Sequence, residues 1–156
     1  MGLFSKKVID IYSPADGILI DLEKVPDDAI SSGMLGTGFA VEPEQNTIVS
    51  PVDGEITFIF PTKHALGLKT KQGIEVLIHL GIDTVELNGE GFTILKNEGS
   101  VVKVGDPLMS LDLEKIRKSK SAMCILLLPQ KYQFNPLLKS NTFVYGGTDK
   151  IAQIQK

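Results

Sequence analysis

Apolar and polar positions alternate along most of this chain with a period of two, and Gly, Pro and Asp cut the alternation into short lengths. Strands are predicted at 8–12, 18–22, 39–41, 55–60, 65–69, 75–80, 92–95, 100–103, 107–111, 123–128, 143–145 and 151–155. Turn signals such as Ala15-Asp16-Gly17, Val52-Asp53-Gly54 and Val104-Gly105-Asp106-Pro107 stand between them. No long stretch carries a helical period. Two short helices are predicted, at 27–33 with Gly33 as its stop and at 112–119. The pattern is that of an all-β sandwich or barrel.

A short segment occurs twice. Ser13-Pro14-Ala15-Asp16-Gly17-Ile18 recurs as Ser50-Pro51-Val52-Asp53-Gly54-Glu55, each copy leading into a predicted strand. One good turn used twice explains this: Pro sets φ, Asp bonds locally, Gly takes positive φ. A duplicated half-domain with pseudo-symmetry explains it equally well, and so short an alignment does not decide.

A length of 156 residues, 42% hydrophobic and 22% charged, fits a single globular domain over 1–156 with a real core. A net charge of −3 argues against general nucleic-acid binding, which needs a concentrated basic surface. The one basic cluster, Lys115 to Lys120 with Arg117, is interleaved with apolar or small residues and reads as a solvated helix face. Cys124 is alone, so no internal disulfide forms, and its apolar neighbours place it in the core. No segment approaches the roughly 18–20 apolar residues that span a bilayer. Met1-Gly2-Leu3-Phe4-Ser5-Lys6-Lys7 lacks the apolar run and cleavage site of a signal peptide, and Lys6 stands where a myristoylation start has Ser or Thr. A cytoplasmic, free-standing chain is expected.

Candidate chemistry centres on the two histidines, His64 and His79. A hairpin turn at 70–73 sets them directly opposite each other, with Cβ atoms about 4.5–5.5 Å apart, unless a bulge at Gly73 shifts the pairing by one. Ile74, Val76 and Ile78 share one strand face; Glu75, Leu77 and His79 share the other, where His79 lines a shallow apolar depression. The Gly81 carbonyl is placed to accept from Nδ1 of His79, which leaves Nε2 bare and nucleophilic. Thr62, two residues before His64, is placed to orient its ring, and Asp83 lies just past the Gly81 bend. There is no GxSxG, no P-loop and no GxGxxG.

The run Gly73-Ile74-Glu75-Val76-Leu77-Ile78-His79-Leu80-Gly81-Ile82-Asp83-Thr84-Val85-Glu86-Leu87-Asn88-Gly89-Glu90-Gly91-Phe92, together with Pro61-Thr62-Lys63-His64-Ala65, resembles the active-site signature of the glucose-type IIA component of the bacterial phosphoenolpyruvate-dependent sugar phosphotransferase system. Val25-Pro26-Asp27, Met34 through Ala40, Ser50 through Gly54 and Val102 through Pro107 follow in family order. The resemblance implies an antiparallel β-sandwich, a barrel-sandwich hybrid built as a duplicated hybrid motif with short helical turns. It implies that His79 takes phosphate on Nε2 from the phosphocarrier protein HPr and passes it to a cysteine of a permease IIB domain. His64, held by Thr62, would flank the phosphoryl group. Asp27 and Asp83 match rim carboxylates where HPr docks, and Phe60, Leu77 and Val85 match the apolar surround near Gly81. Other proteins are expected as regulatory targets. Ala29 and Ile30 stand where relatives often have Val and Phe, the stretch before Val8 is too short for an amphipathic membrane segment, and 123–138 follows no family pattern.

No cofactor is required in this reading. Zinc is expected to bind weakly between His64 and His79, completed only by a partner's carboxylate, because a stable site wants more protein ligands. Two alternatives are a biotinyl- or lipoyl-like carrier domain, suggested by 99–108, and a two-histidine zinc hydrolase. The first needs a lysine in a Met-Lys-Met or Asp-Lys-Ala setting, and the second a further His-x-His; neither occurs.

Overall fold

A computed structural model describes residues 8–155. The readings made on Met1 through Lys7 lie outside the described residues. Within them the chain forms β1 (Val8–Tyr12), β2 (Gly17–Asp21), α1 (Asp28–Ser31), β3 (Thr37–Pro43), β4 (Thr47–Val49), β5 (Gly54–Ile59), β6 (Ala65–Lys69) and β7 (Glu75–Ile82). There follow β8 (Phe92–Ile94), β9 (Val101–Val102), β10 (Pro107–Leu111), α2 (Leu113–Arg117), β11 (Ser121–Leu128), β12 (Gln133–Pro136), β13 (Phe143–Val144) and β14 (Lys150–Gln155). Single 3-10 turns occupy Leu22–Lys24 and Thr84–Leu87.

An eight-stranded antiparallel sheet runs β13-β2-β3-β11-β7-β6-β5-β9, beside two three-stranded sheets, β1-β14-β12 and β4-β10-β8. None closes into a barrel. The large sheet reads the same from either end when β13 is matched with β9, β2 with β5, β3 with β6 and β11 with β7. The small sheets match strand for strand in the same way.

Backbone bonds around the repeated segment follow this correspondence. The Tyr12 amide donates to the Pro51 carbonyl (2.9 Å), and the Val49 amide to the Pro14 carbonyl (2.8 Å). Gly147 donates to Ser13 and Gly105 to Ser50. The Gly146 amide donates to Asp16 Oδ1 and the Val104 amide to Asp53 Oδ1. Ser13 and Ser50, both fully buried, each donate to the carbonyl two residues on, at 2.6 Å. Reciprocal bonds of this kind are more than a shared turn preference, and they favour the duplicated half-domain.

The main core takes one face of each central strand: Val76, Ile78 and Leu80 of β7 meet Leu66 and Leu68 of β6, Ile56 of β5 and Cys124, Leu126 and Leu128 of β11. Burial pushes the Cys124 thiol up to about 12, so it stays a protonated core group. A second, smaller cluster forms on the opposite face from Val25, Ile30, Ala40, Met123, Ile125 and Leu127, with Leu77 and Ile82 against it.

Both predicted helices are shorter than expected at both ends: Asp27 and Asp112 act as N-caps, Asp27 Oδ1 accepting from the Ala29 and Ile30 amides and Asp112 Oδ1 from Lys115, and the helices stop at Ser31 and Arg117, two residues early. The basic segment is a surface face, with Arg117 paired to Glu42 (2.7 Å) and Lys120 to Glu86 (2.8 Å). The strands at β4 and β12 were not expected; both are short edges, and Pro136 within β12 weakens any strand reading.

Candidate active site

His79 projects from β7, near the middle of the large sheet, and His64 stands just before β6 at the tip of the β5–β6 hairpin. That tip is closed by the Phe60 amide on the Ala65 carbonyl (2.9 Å) and the Lys63 amide on the Phe60 carbonyl (2.7 Å). Lys63 takes φ 61°, and Asp83, past the other histidine, takes φ 60°. Left-handed backbone at a non-glycine residue costs about 1–2 kcal/mol, and such positions gather at functional sites.

The expected face-to-face register is corrected by one place. Ala65, not His64, lies opposite His79. The β6–β7 loop is three residues, 71–73, closed by the Thr70 amide on the Ile74 carbonyl, with Gly73 at φ 86°. A turn ending in a left-handed glycine adds one residue relative to the two-residue hairpin and shifts every pair. His64 instead reaches the site from just beyond the ladder's end, its carbonyl accepting the Leu80 amide at 2.7 Å. The rings still meet, edge to face, with centroids 5.2 Å apart.

Four rings form a row: Phe58 to Phe60 at 5.4 Å, Phe60 to His64 at 5.3 Å, and His64 to His79. Phe58 was not singled out by sequence; its ring lies over Gly67, where a Cβ would fall 2.2 Å from it. Phe60 is 43% exposed and Val85, in the turn after Asp83, 49%. Leu77 shares the His79 face and packs on the second cluster, which Val25 and the α1 residue Ile30 help to cover.

The hydrogen bonds fix much of the chemistry. His79 Nδ1 lies 2.8 Å from the Gly81 carbonyl, which can only accept, so the proton sits on Nδ1 and Nε2 carries the free lone pair. His64 Nδ1 lies 2.6 Å from Thr62 Oγ1, which can donate or accept. Burial holds the His79 pKa below the usual histidine value, against the opposing pull of the Gly81 bond and of Asp27 and Asp83. His64, only 5% exposed, is held below it by burial and by the neighbouring His79. Both imidazoles are therefore neutral near pH 7.

Cavities of about 420, 440 and 530 Å³ open elsewhere on the molecule, and neither histidine lines any of them. Among the described residues no group of three or more His, Cys, Asp or Glu side chains is placed to hold a metal ion. Nor do those residues include a helix long and apolar enough to cross a membrane.

A nucleophilic imidazole beside a second histidine, set among half-exposed aromatic rings, suits a protein that hands a small group from one macromolecule to another. The chain belongs to the EIIA type 1 family of the phosphoenolpyruvate-dependent sugar phosphotransferase system, whose model matches residues 9–133. It is similar to a glucose-specific EIIA component of Staphylococcus aureus, 39% identical over 152 residues that cover 92% of each chain. It is also similar to a glucoside-specific EIICBA component of Staphylococcus carnosus, 50% identical over 108 residues, 69% of this chain and 16% of that longer protein. Glucose permease IIA from Mycoplasma capricolum has the same fold, with a TM-score of 0.85 and 34% identity over 98% of this chain and 99% of that one. The protein is accordingly a phosphotransferase component, a phosphoryl carrier in sugar uptake. The cofactor-carrier and zinc-hydrolase readings are not favoured.

Proposed function

We propose that His79 is the phosphoryl acceptor, taking phosphate on Nε2 from phospho-HPr and donating it to a cysteine of a permease IIB domain. The observation that carries this reading is the His79 Nδ1 bond to the Gly81 carbonyl, which leaves Nε2 as the one free nucleophilic nitrogen of that ring. In the first transfer the donor's P–N bond breaks as the Nε2–P bond forms. In the second that bond breaks as the cysteine sulfur takes the phosphorus. The Nδ1 proton stays in place throughout.

Such transfers run through a loose in-line transition state, so positioning and charge stabilisation supply most of the rate. His64 serves the second need. With the Thr62 hydroxyl donating to its Nδ1, His64 carries its proton on Nε2 and offers it to a phosphoryl oxygen. Phe60, Leu77 and Val85 exclude water from the phosphohistidine. Asp27 and Asp83 meet the basic side of HPr at the rim.

The glucose-specific name of the staphylococcal relative supports a glucose-type sugar. Residues 1–156 act as one cytoplasmic domain that needs no cofactor and that also has regulatory target proteins. Zinc binds weakly between His64 and His79 until a partner adds a carboxylate, and phosphorylation of Nε2 blocks it. Calorimetric titration tests this last point; tight binding that survives phosphorylation overturns it.

The test of the main reading is incubation with phosphoenolpyruvate, enzyme I and HPr, followed by mapping of acid-labile phosphate. One phosphate on His79 is expected. Phosphate on another residue, or none, refutes the assignment.

A further inference from the structure

Thr84 is fully buried, although it begins a surface turn and directly follows the left-handed Asp83. Its hydroxyl donates to the Leu80 carbonyl at 2.5 Å. The same Leu80 peptide gives its amide to the His64 carbonyl at 2.7 Å. Thr84 also fills the space beside Gly81: a Cβ built on Gly81 would lie 2.3 Å from Thr84 Cγ2 and 2.5 Å from the Ser121 carbonyl. Gly81 has φ +86°, and its carbonyl is the one that accepts the His79 Nδ1 proton. One buried side chain thus braces both peptides on which the histidines depend.

We propose that Thr84 is a positioning residue for the phosphoryl acceptor: its hydroxyl locks the Leu80–Thr84 turn so that the Gly81 carbonyl stays aimed at His79 Nδ1. This rests on the reading of His79 as the acceptor. The physical argument concerns tautomer populations. A neutral imidazole in water keeps its proton on either nitrogen, and the fixed acceptor at Gly81 selects Nδ1–H. If the turn relaxes, the acceptor moves off, the Nε2–H form gains population, and the lone pair needed for attack is lost in proportion. A buried hydroxyl spanning four residues within one tight turn is well placed to prevent that. Asp83 makes no side-chain capping bond to the turn that follows it, whereas the Thr84 hydroxyl ties the turn back to Leu80.

The experiment compares Thr84→Val, which keeps the shape and removes the hydroxyl, with Thr84→Ser, which keeps the hydroxyl. Long-range 15N–1H correlation spectra of the unphosphorylated protein at pH 8 report the His79 tautomer directly. Phosphoryl acceptance from phospho-HPr reports the consequence. In Thr84→Val a measurable Nε2–H fraction is expected, with acceptance slowed about tenfold, the low end of what losing a supporting partner costs. Thr84→Ser should keep the parent tautomer and stay within about twofold of its rate. If Thr84→Val does not fold, Thr84→Ala carries the same comparison. A folded hydroxyl-less variant with the parent tautomer overturns the proposal, as does a Thr84→Ser variant that behaves like Thr84→Val. The tautomer is read without any phosphate present. Should phosphate in the parent protein map away from His79, the acceptor assignment fails while the spectra still decide the role of Thr84 in holding the ring.

Discussion

On β11, the strand matched to β7 by the pseudo-symmetry, Ile125 lies opposite His79 and Leu127 opposite Leu77. Those two leave no surface for chemistry: they are buried, packed with Met123, Val25 and Ile30 into the smaller core. On β7 the same face carries a half-buried imidazole with a free nitrogen, approached by His64 and by rings that stay partly exposed. One backbone plan, executed twice, has been sealed at one copy and left open at the other. The frame positions residues to within a cross-strand spacing, but the choice between core and site is made by a few side chains and by what covers them.

The comparison breaks most visibly at His79. His79→Ala is expected to abolish labelling by phospho-HPr while leaving cooperative unfolding close to the parent's, since the ring is only partly buried. Full labelling of that variant would remove the site from β7. Its cross-strand neighbour should behave in the opposite way. Ile125→Ala empties a fully buried position and should cost about 3 kcal/mol in denaturant unfolding, with the protein that remains folded still accepting phosphate. A loss of labelling larger than the loss of folded protein would show that the sealed half takes part in the chemistry.

His64→Gln sharpens the division within the open half. Phosphate should still reach His79, whereas onward transfer to a IIB domain should fall on the order of a hundredfold, as when a charge-stabilising donor is removed. Rapid-quench measurement of the second transfer checks this, and an undiminished rate leaves His64 without that role.

How far the sequence carried these distinctions depends on what each rests on. The alternation of Ile74, Val76 and Ile78 against Leu77 and His79 showed which face of β7 was core, because side-chain direction is set by the two-residue period alone. The hairpin register was not legible to one residue: Gly73 announced a turn but not that its left-handed backbone would end a three-residue loop. The duplication was half visible. Ser13 to Gly17 and Ser50 to Gly54 matched by letter, yet most of the symmetry lies in backbone bonds to Gly105, Val104, Gly146 and Gly147, where residue identity matters little. Phe58 and Thr84 were passed over for a related reason, since each acts through a glycine that sequence alone could not place beneath it. Asp27 was expected at the docking rim; the role the structure shows for it is the α1 cap.

Acidity separates the halves more gently. Both histidine pKa values lie below the ordinary 6.5, His79 and His64 each through burial first. Well above pH 6.5, by about pH 8, folded and unfolded chains alike hold neutral imidazoles, so the pair contributes no pH dependence there. As pH falls below 6.5 the unfolded chain binds protons first and the folded state loses stability, until the folded histidines themselves titrate. NMR titration should give both midpoints below 6.5, and His64→Gln should flatten the loss of stability between neutral pH and those midpoints. A midpoint above 6.5 for either ring contradicts the burial argument.

The smallest effect expected is at the two carboxylates that act on His79 from outside it. Asp27→Asn with Asp83→Asn removes two negative charges and little else. Asn caps a helix as well as Asp, so α1 keeps its first turn, and Asn tolerates the left-handed backbone of position 83. Both carboxylates favour the protonated form of His79, so neutralising them should move its midpoint lower still. Rim charges act over a Debye length of about 10 Å at 0.1 M salt, and they guide encounter more than they hold a docked pair. Stopped-flow association with HPr should therefore slow several-fold at low ionic strength and converge on the parent as salt is added, with dissociation little changed. An unaltered association rate at low salt, alongside a lowered His79 midpoint, would assign Asp27 and Asp83 to tuning the imidazole and leave docking to the exposed apolar groups around the open site, Phe58, Phe60 and Val85.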